Sequence, residues 1–151
     1  MGTTGKSPPL RLRVRVLSGS CLPKPRGHKS GEHIDPYINV TLHDMVADEE
    51  TLVFRHTETK HSTATISDNG FCPVWNETNF TEFDVHSPDT AMIHFSLMEA
   101  DVGKDDKIGD SAIPVNKLRM GYRSVQLFDK NHTRTGPFRC ASLFVEIRTV
   151  N

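Results

Sequence analysis

Leu10-Arg11-Leu12-Arg13-Val14-Arg15-Val16 alternates apolar and basic residues without a break, and a period of two marks an extended strand with one face buried and one in water. Leu10, Leu12, Val14 and Val16 are assigned to the core, and Arg11, Arg13 and Arg15 to the outer face. That basic stripe reads as a solvated face; anionic lipid headgroups are the functional alternative.

The same kind of segment recurs beyond this strand. A long basic loop over 18–35, rich in proline and glycine, leads to Asp35-Pro36 and the run Tyr37–Leu42. The proline stands at the strand mouth, where no ladder donor is lost. Further strands are expected near Leu52–His56, near Thr63–Ile66 and in a run from Val74-Trp75 through Phe80, Phe83 and Val85. Others are expected over Met92–Met98, Ile108–Ile113, Tyr122–Phe128 and Ser142–Val150. Trp75, the only tryptophan, is large and apolar enough for the core. The stretch Pro114–Arg119 suits one helical turn, and 129–136 a polar hairpin loop. About eight strands at roughly 10–15-residue spacing, with no amphipathic helix, predict an all-β fold: an eight-stranded antiparallel Greek-key β-sandwich.

The run Met92–Leu97 feeds directly into Met98-Glu-Ala-Asp-Val-Gly-Lys-Asp-Asp-Lys-Ile-Gly109. Glu99, Asp101, Asp105 and Asp106 crowd their carboxylates there, and such a cluster repels itself unless it is solvated or holds a cation. A hard cation with about 6–8 oxygen ligands, calcium, is the natural guest. An ordinary solvated turn has the same composition. Two further acids, Asp35 and Asp68, stand just outside strands. Loops at one end of a sandwich can converge, so Asp35, Asp68, Glu99, Asp101 and Asp106 form a candidate metal cup.

Composition sets the outer bounds. A chain of 151 residues with 36% hydrophobic and 25% charged residues suits one ordinary domain. We expect a leader over 1–9 and the domain over 10–151. No run approaches the ~18 apolar residues of a membrane span, and the first residues do not read as the apolar core of a signal peptide. The expectation is a cytoplasmic protein reversibly peripheral to membranes. The three cysteines show no Cys-x-x-Cys spacing, and the net charge of −1 argues against a nucleic-acid partner. The eight histidines form no metalloprotease or nucleophile motif. No catalytic residue is assigned.

Leu22-Pro-Lys-Pro, Ile34-Asp-Pro-Tyr, Asp68-Asn-Gly-Phe-Cys-Pro-Val-Trp-Asn, Asp105-Asp-Lys-Ile-Gly, Leu118-Arg-Met-Gly-Tyr-Arg and Leu143-Phe-Val-Glu-Ile closely resemble the C2 domain of phosphoinositide-specific phospholipase C, from about Leu10 to Ile147. The resemblance implies the phospholipase-type permuted topology and three loops at one end that bind Ca2+ and anionic phospholipid. Asp35 matches a first-loop ligand, Asp68 falls where this branch places an Asn or Asp, and Asp101 and Asp106 match third-loop aspartates. Glu99 stands where the family usually has aspartate, one methylene longer but still able to ligate.

Lys24, Arg26 and Lys29 are then candidate lipid contacts, and Val102 the apolar tip that inserts. The expected function is a calcium-dependent, membrane-targeting, non-catalytic module, a monomer that meets the anionic membrane surface and other domains of a parent phospholipase. The alternative is a calcium-independent C2 domain used for protein interaction or intramolecular docking.

Overall fold

The computed structural model describes residues 8–24, 34–67 and 69–150. Eight strands follow in order: β1 Leu10–Ser20, β2 Pro36–Ala47, β3 Phe54–Ser62, β4 Thr81–Val85, β5 Met92–Glu99, β6 Asp106–Pro114, β7 Gly121–Gln126 and β8 Ser142–Val150. They form two antiparallel four-stranded sheets, ordered β4-β1-β8-β7 and β3-β2-β5-β6. The chain passes between sheets after β1, β3, β4 and β6, and turns back within a sheet after β2, β5 and β7. This is the expected Greek-key sandwich.

Alternation builds the core. Leu12, Val14 and Val16 from β1, Phe83 and Val85 from β4, and Leu143, Val145 and Ile147 from β8 meet Ile38, Val40 and Leu42 from β2 and Ile93, Phe95 and Leu97 from β5. Burial of each large side chain stabilises the fold by about 1.5–3 kcal/mol.

Two strand assignments need correction. In place of separate strands at Leu52–His56 and Thr63–Ile66, a single strand, β3, begins inside the first segment and ends before the second. Its sequence, FRHTETKHS, has no buried residue, so it carries no apolar period. It is an edge strand whose charges discourage pairing with another chain. Thr63 lies beyond it and closes against β2, its backbone N–H donating to Ile38 O at 2.9 Å and its Oγ1 accepting from Ile38 N at 2.9 Å.

The run expected from Val74-Trp75 is likewise interrupted. Val74 makes one isolated bridge to Ser18, Asn76 takes a positive φ of 45°, and regular pairing starts only at Thr81. Trp75 packs against the core from its flank, half-buried. Glu77 then ties the sheets together: Oε1 accepts from Val16 N at 2.9 Å and Oε2 lies 2.7 Å from His61 Nε2.

A second tie joins the sheets beyond β7, where Phe128 pairs through its backbone with Asp110 of β6. A Cβ on neighbouring Gly109 would lie 2.9 Å from Phe128 O, so the close approach needs glycine there. The helical turn expected over Pro114–Arg119 is a single 3-10 turn at Val115–Lys117.

Candidate functional site

The strand order gathers the described parts of the connections 21–35 and 63–80, with 100–105 and 127–141, at one end of the sandwich and 48–53, 86–91 and 115–120 at the other. Of the acids singled out in the sequence, Asp35, Glu99, Asp101 and Asp106 belong to the first end. Asp35 immediately precedes β2, and its backbone oxygen accepts a hydrogen bond from Ala100 N at 3.0 Å. Glu99 closes β5, opposite Pro36 on one side and Asp106 of β6 on the other. Glu99 and Asp106 are thus a cross-strand pair, about 4.5–5.5 Å apart, and Asp35 stands on the neighbouring strand end, next to Glu99's other partner, Pro36. Glu99 is buried, with 4% exposure; Asp35 is half-buried, and Asp101 and Asp106 are exposed. Asp68, Arg26 and Lys29 lie outside the described residues.

A contact that the sequence does not suggest organises the 100–105 loop. Tyr37, one residue into β2, donates its hydroxyl to Asp105 Oδ2 at 2.6 Å. Asp101 N–H donates to Asp105 Oδ1 at 3.2 Å, and Asp101 Oδ1 accepts from Val102 N at 2.7 Å. Gly103, at φ 101°, supplies the left-handed turn. The hydrogen bond from Tyr37, reinforced by Asp101 N–H, holds the Asp105 carboxyl below its usual range. In return the Asp105 hydrogen bond, burial and the carboxylate charge push the Tyr37 phenol up to about 12. Only the spatial register, 68 positions apart in the chain, reveals this pair.

Val102 is fully exposed at the loop tip. At the same end, Lys24 of the β1 connection, Lys107 of β6 and Lys130 of the 127–141 connection line one groove of about 400 Å³. Sequence reasoning misses Lys107 and Lys130 because neither belongs to a basic run. Lys107 also donates to Asp110 at 2.7 Å.

The Arg stripe lies elsewhere, on the outer face of the β4-β1-β8-β7 sheet, and each member has a carboxylate beside it. Arg11 Nε lies 3.4 Å from Asp84, Arg13 Nη2 2.7 Å from Glu82, and Arg15 Nη2 2.6 Å from Glu146. Hydrogen bonds from Arg148 and, against the opposing effect of burial, from Arg15 keep the Glu146 carboxyl below its ordinary range. This is an ion-paired face.

The donor chemistry at the loop end suits calcium, since every candidate ligand is a carboxylate oxygen on a strand end or loop. Among the described residues, however, these acids do not bring three ligand oxygens within 4.8 Å of one another. The loop is held instead by Tyr37 and Asp105. Among those residues no helix is long and apolar enough to cross a membrane.

The family model of the C2 domain matches residues 10–130. The chain is 33% identical over 151 residues to 1-phosphatidylinositol 4,5-bisphosphate phosphodiesterase delta-4 of Xenopus laevis, covering 99% of this chain and 18% of that protein. It is 39% identical over 138 residues to the human delta-1 phosphodiesterase, covering 91% and 16%, and 34% identical over 149 residues to the human inactive phospholipase C-like protein 2, covering 97% and 12%. The chain therefore spans less than a fifth of the length of each of these relatives. Among solved structures it superimposes on L. pealei PLC21 with a TM-score of 0.69 at 25% identity, covering 98% of this chain and 16% of that one. A C2 domain of plant Extended Synaptotagmin 1 shares the fold, with a TM-score of 0.68 at 20% identity and 95% coverage of both chains. The sandwich, the loop end and these relatives agree: the chain belongs to the C2 domain family, in its phosphoinositide-specific phospholipase C branch.

Proposed function

We propose that this chain is a calcium-dependent phospholipid-binding and membrane-targeting module, itself non-catalytic. The observation that carries the reading is the register of Asp35, Glu99 and Asp106 on adjoining strand ends, beneath a loop whose tip, Val102, is fully exposed. Calcium bound among Asp35, Asp68, Glu99, Asp101 and Asp106 neutralises the carboxylates and leaves coordination positions for lipid phosphate. Val102 enters the headgroup region, while Lys24, Lys107 and Lys130, together with Arg26 and Lys29, each add about 1 kcal/mol near an anionic surface. In a longer phospholipase C-type protein, such a module would hold the remaining domains at their membrane.

Sedimentation with vesicles containing phosphatidylserine, with calcium and with chelator, tests this directly. The protein should pellet only with calcium, and Asp35→Asn together with Asp106→Asn should abolish pelleting. Equal binding in chelator contradicts calcium dependence. Absence of binding in both conditions favours a metal-independent interaction or docking module, a reading supported by the way Tyr37 and Asp101 N–H already satisfy Asp105.

A further inference from the structure

On the outer face of the β2–β3 hairpin, three side chains that the lipid-binding reading does not use converge. His43 and Glu58 are directly opposed across the hairpin, and His56 opposes Met45, two residues along β2. All three therefore project from one face. His43 Nδ1 lies 3.3 Å from His56 Nε2 and 3.4 Å from Glu58 Oε1. The two imidazole planes are within 5° of parallel, with centroids 5.4 Å apart. Among the described residues, this is the place where three such donor atoms, one from each side chain, all lie within 4.8 Å of one another.

These spacings are informative. Two imidazole nitrogens at this distance aim lone pairs at each other unless a proton or a cation lies between them. An ion with bonds of about 2.0–2.1 Å at tetrahedral angles holds its donors about 3.3 Å apart, which matches both measured edges of the triangle. The donor types select the ion: imidazoles suit zinc, copper and nickel, whereas calcium takes oxygen alone. The site opens to solvent, His43 and Glu58 retaining 34% and 58% side-chain exposure, so an ion can enter and keep water in its fourth position.

We propose that His43, His56 and Glu58 form a surface site for a divalent transition-metal ion of the zinc class, separate from the calcium end. His43 is eight residues along the chain from Asp35, about 26 Å at strand rise, so the two sites bind independently. A bound ion cross-links the exposed edge strand β3 to β2, and its open coordination position faces outward.

The test is a calorimetric titration of the chain with zinc chloride in the presence of saturating calcium. One zinc should bind, and His56→Gln and Glu58→Gln should each weaken that binding by about tenfold or more, since loss of even a supporting residue around a metal costs that much. Both substitutions fall on the solvent-exposed edge strand, and a metal-free thermal melt confirms that each variant folds. His132→Gln, on the distant 127–141 connection, should bind zinc as the unmodified chain does. Absence of zinc binding, or binding unchanged in both His56→Gln and Glu58→Gln, would overturn the proposal.

Discussion

The hydroxyl of Tyr37 and the carboxylate of Asp105, 2.6 Å apart, join the mouth of β2 to the loop that follows β5. This bond fixes the loop that carries Asp101 beside the strand ends of Asp35 and Asp106. It also ties loop order to the protonation of two groups. Below about pH 10, the ordinary tyrosine value, the Tyr37 contribution to stability is fully present, and it is lost as pH rises through the folded value of about 12. The Asp105 contribution is present above the ordinary carboxyl value and is lost as pH falls through its lowered folded value.

In a Tyr122→Phe background, where Tyr37 is the remaining tyrosine, tyrosinate absorbance should therefore rise at about pH 12. Asp105→Asn should bring the transition back toward about 10. A titration at the ordinary value in the unmodified pair would break the link between Tyr37 and the loop.

Asp44 performs a similar task at the opposite end. It is buried, with 3% exposure, and accepts from Met45 N at 2.8 Å, His86 N at 2.6 Å and Ser87 N at 3.0 Å. Asp44→Ala strands these donors and should cost about 1–3 kcal/mol, read by urea denaturation. Unchanged stability would mean that water replaces the carboxylate.

Trp75 offers a separable test of packing against polarity. It packs on the core, yet its indole N–H meets no acceptor among the described residues. Trp75→Ala should cost about 3–5 kcal/mol, while Trp75→Phe, which loses no hydrogen bond, should cost less than about 1.5 kcal/mol. Denaturation midpoints that fall equally for the two variants would show that the indole group itself matters.

Reversing Arg11 and Arg13 to glutamate should leave calcium-dependent vesicle binding intact, because their charges are already matched by Asp84 and Glu82. Stability should fall by about 1–2 kcal/mol, as two exposed pairs are lost and like charges then face each other between β1 and β4. Weaker vesicle sedimentation at low ionic strength would reassign the stripe to the membrane.

The elements legible in the sequence are those with one buried face. β1, β2, β5 and β8 alternate because their neighbours on both sides hold them over the core. β3 is misplaced by sequence reasoning because an edge strand with no buried residue has no period to read. The Val74-Trp75 run is overextended because the left-handed turn at Asn76 carries no apolar signal. The acids at strand mouths are visible as composition. What surrounds them is not, since Tyr37 with Asp105, or His43 with His56 and Glu58, meet only once the strand register is known.

Calcium binding at the loop end can be read from melting temperatures of the unmodified chain and Asp101→Asn, each with and without millimolar calcium. A ligand that binds only the native state raises its melting temperature, and Asp101→Asn removes one charge while keeping size and a neutral oxygen. Calcium should stabilise the unmodified chain clearly and Asp101→Asn less, with the calcium-free variant as stable or slightly more so, through relief of like-charge repulsion. Equal stabilisation of both, or no response of the unmodified chain, would contradict the account.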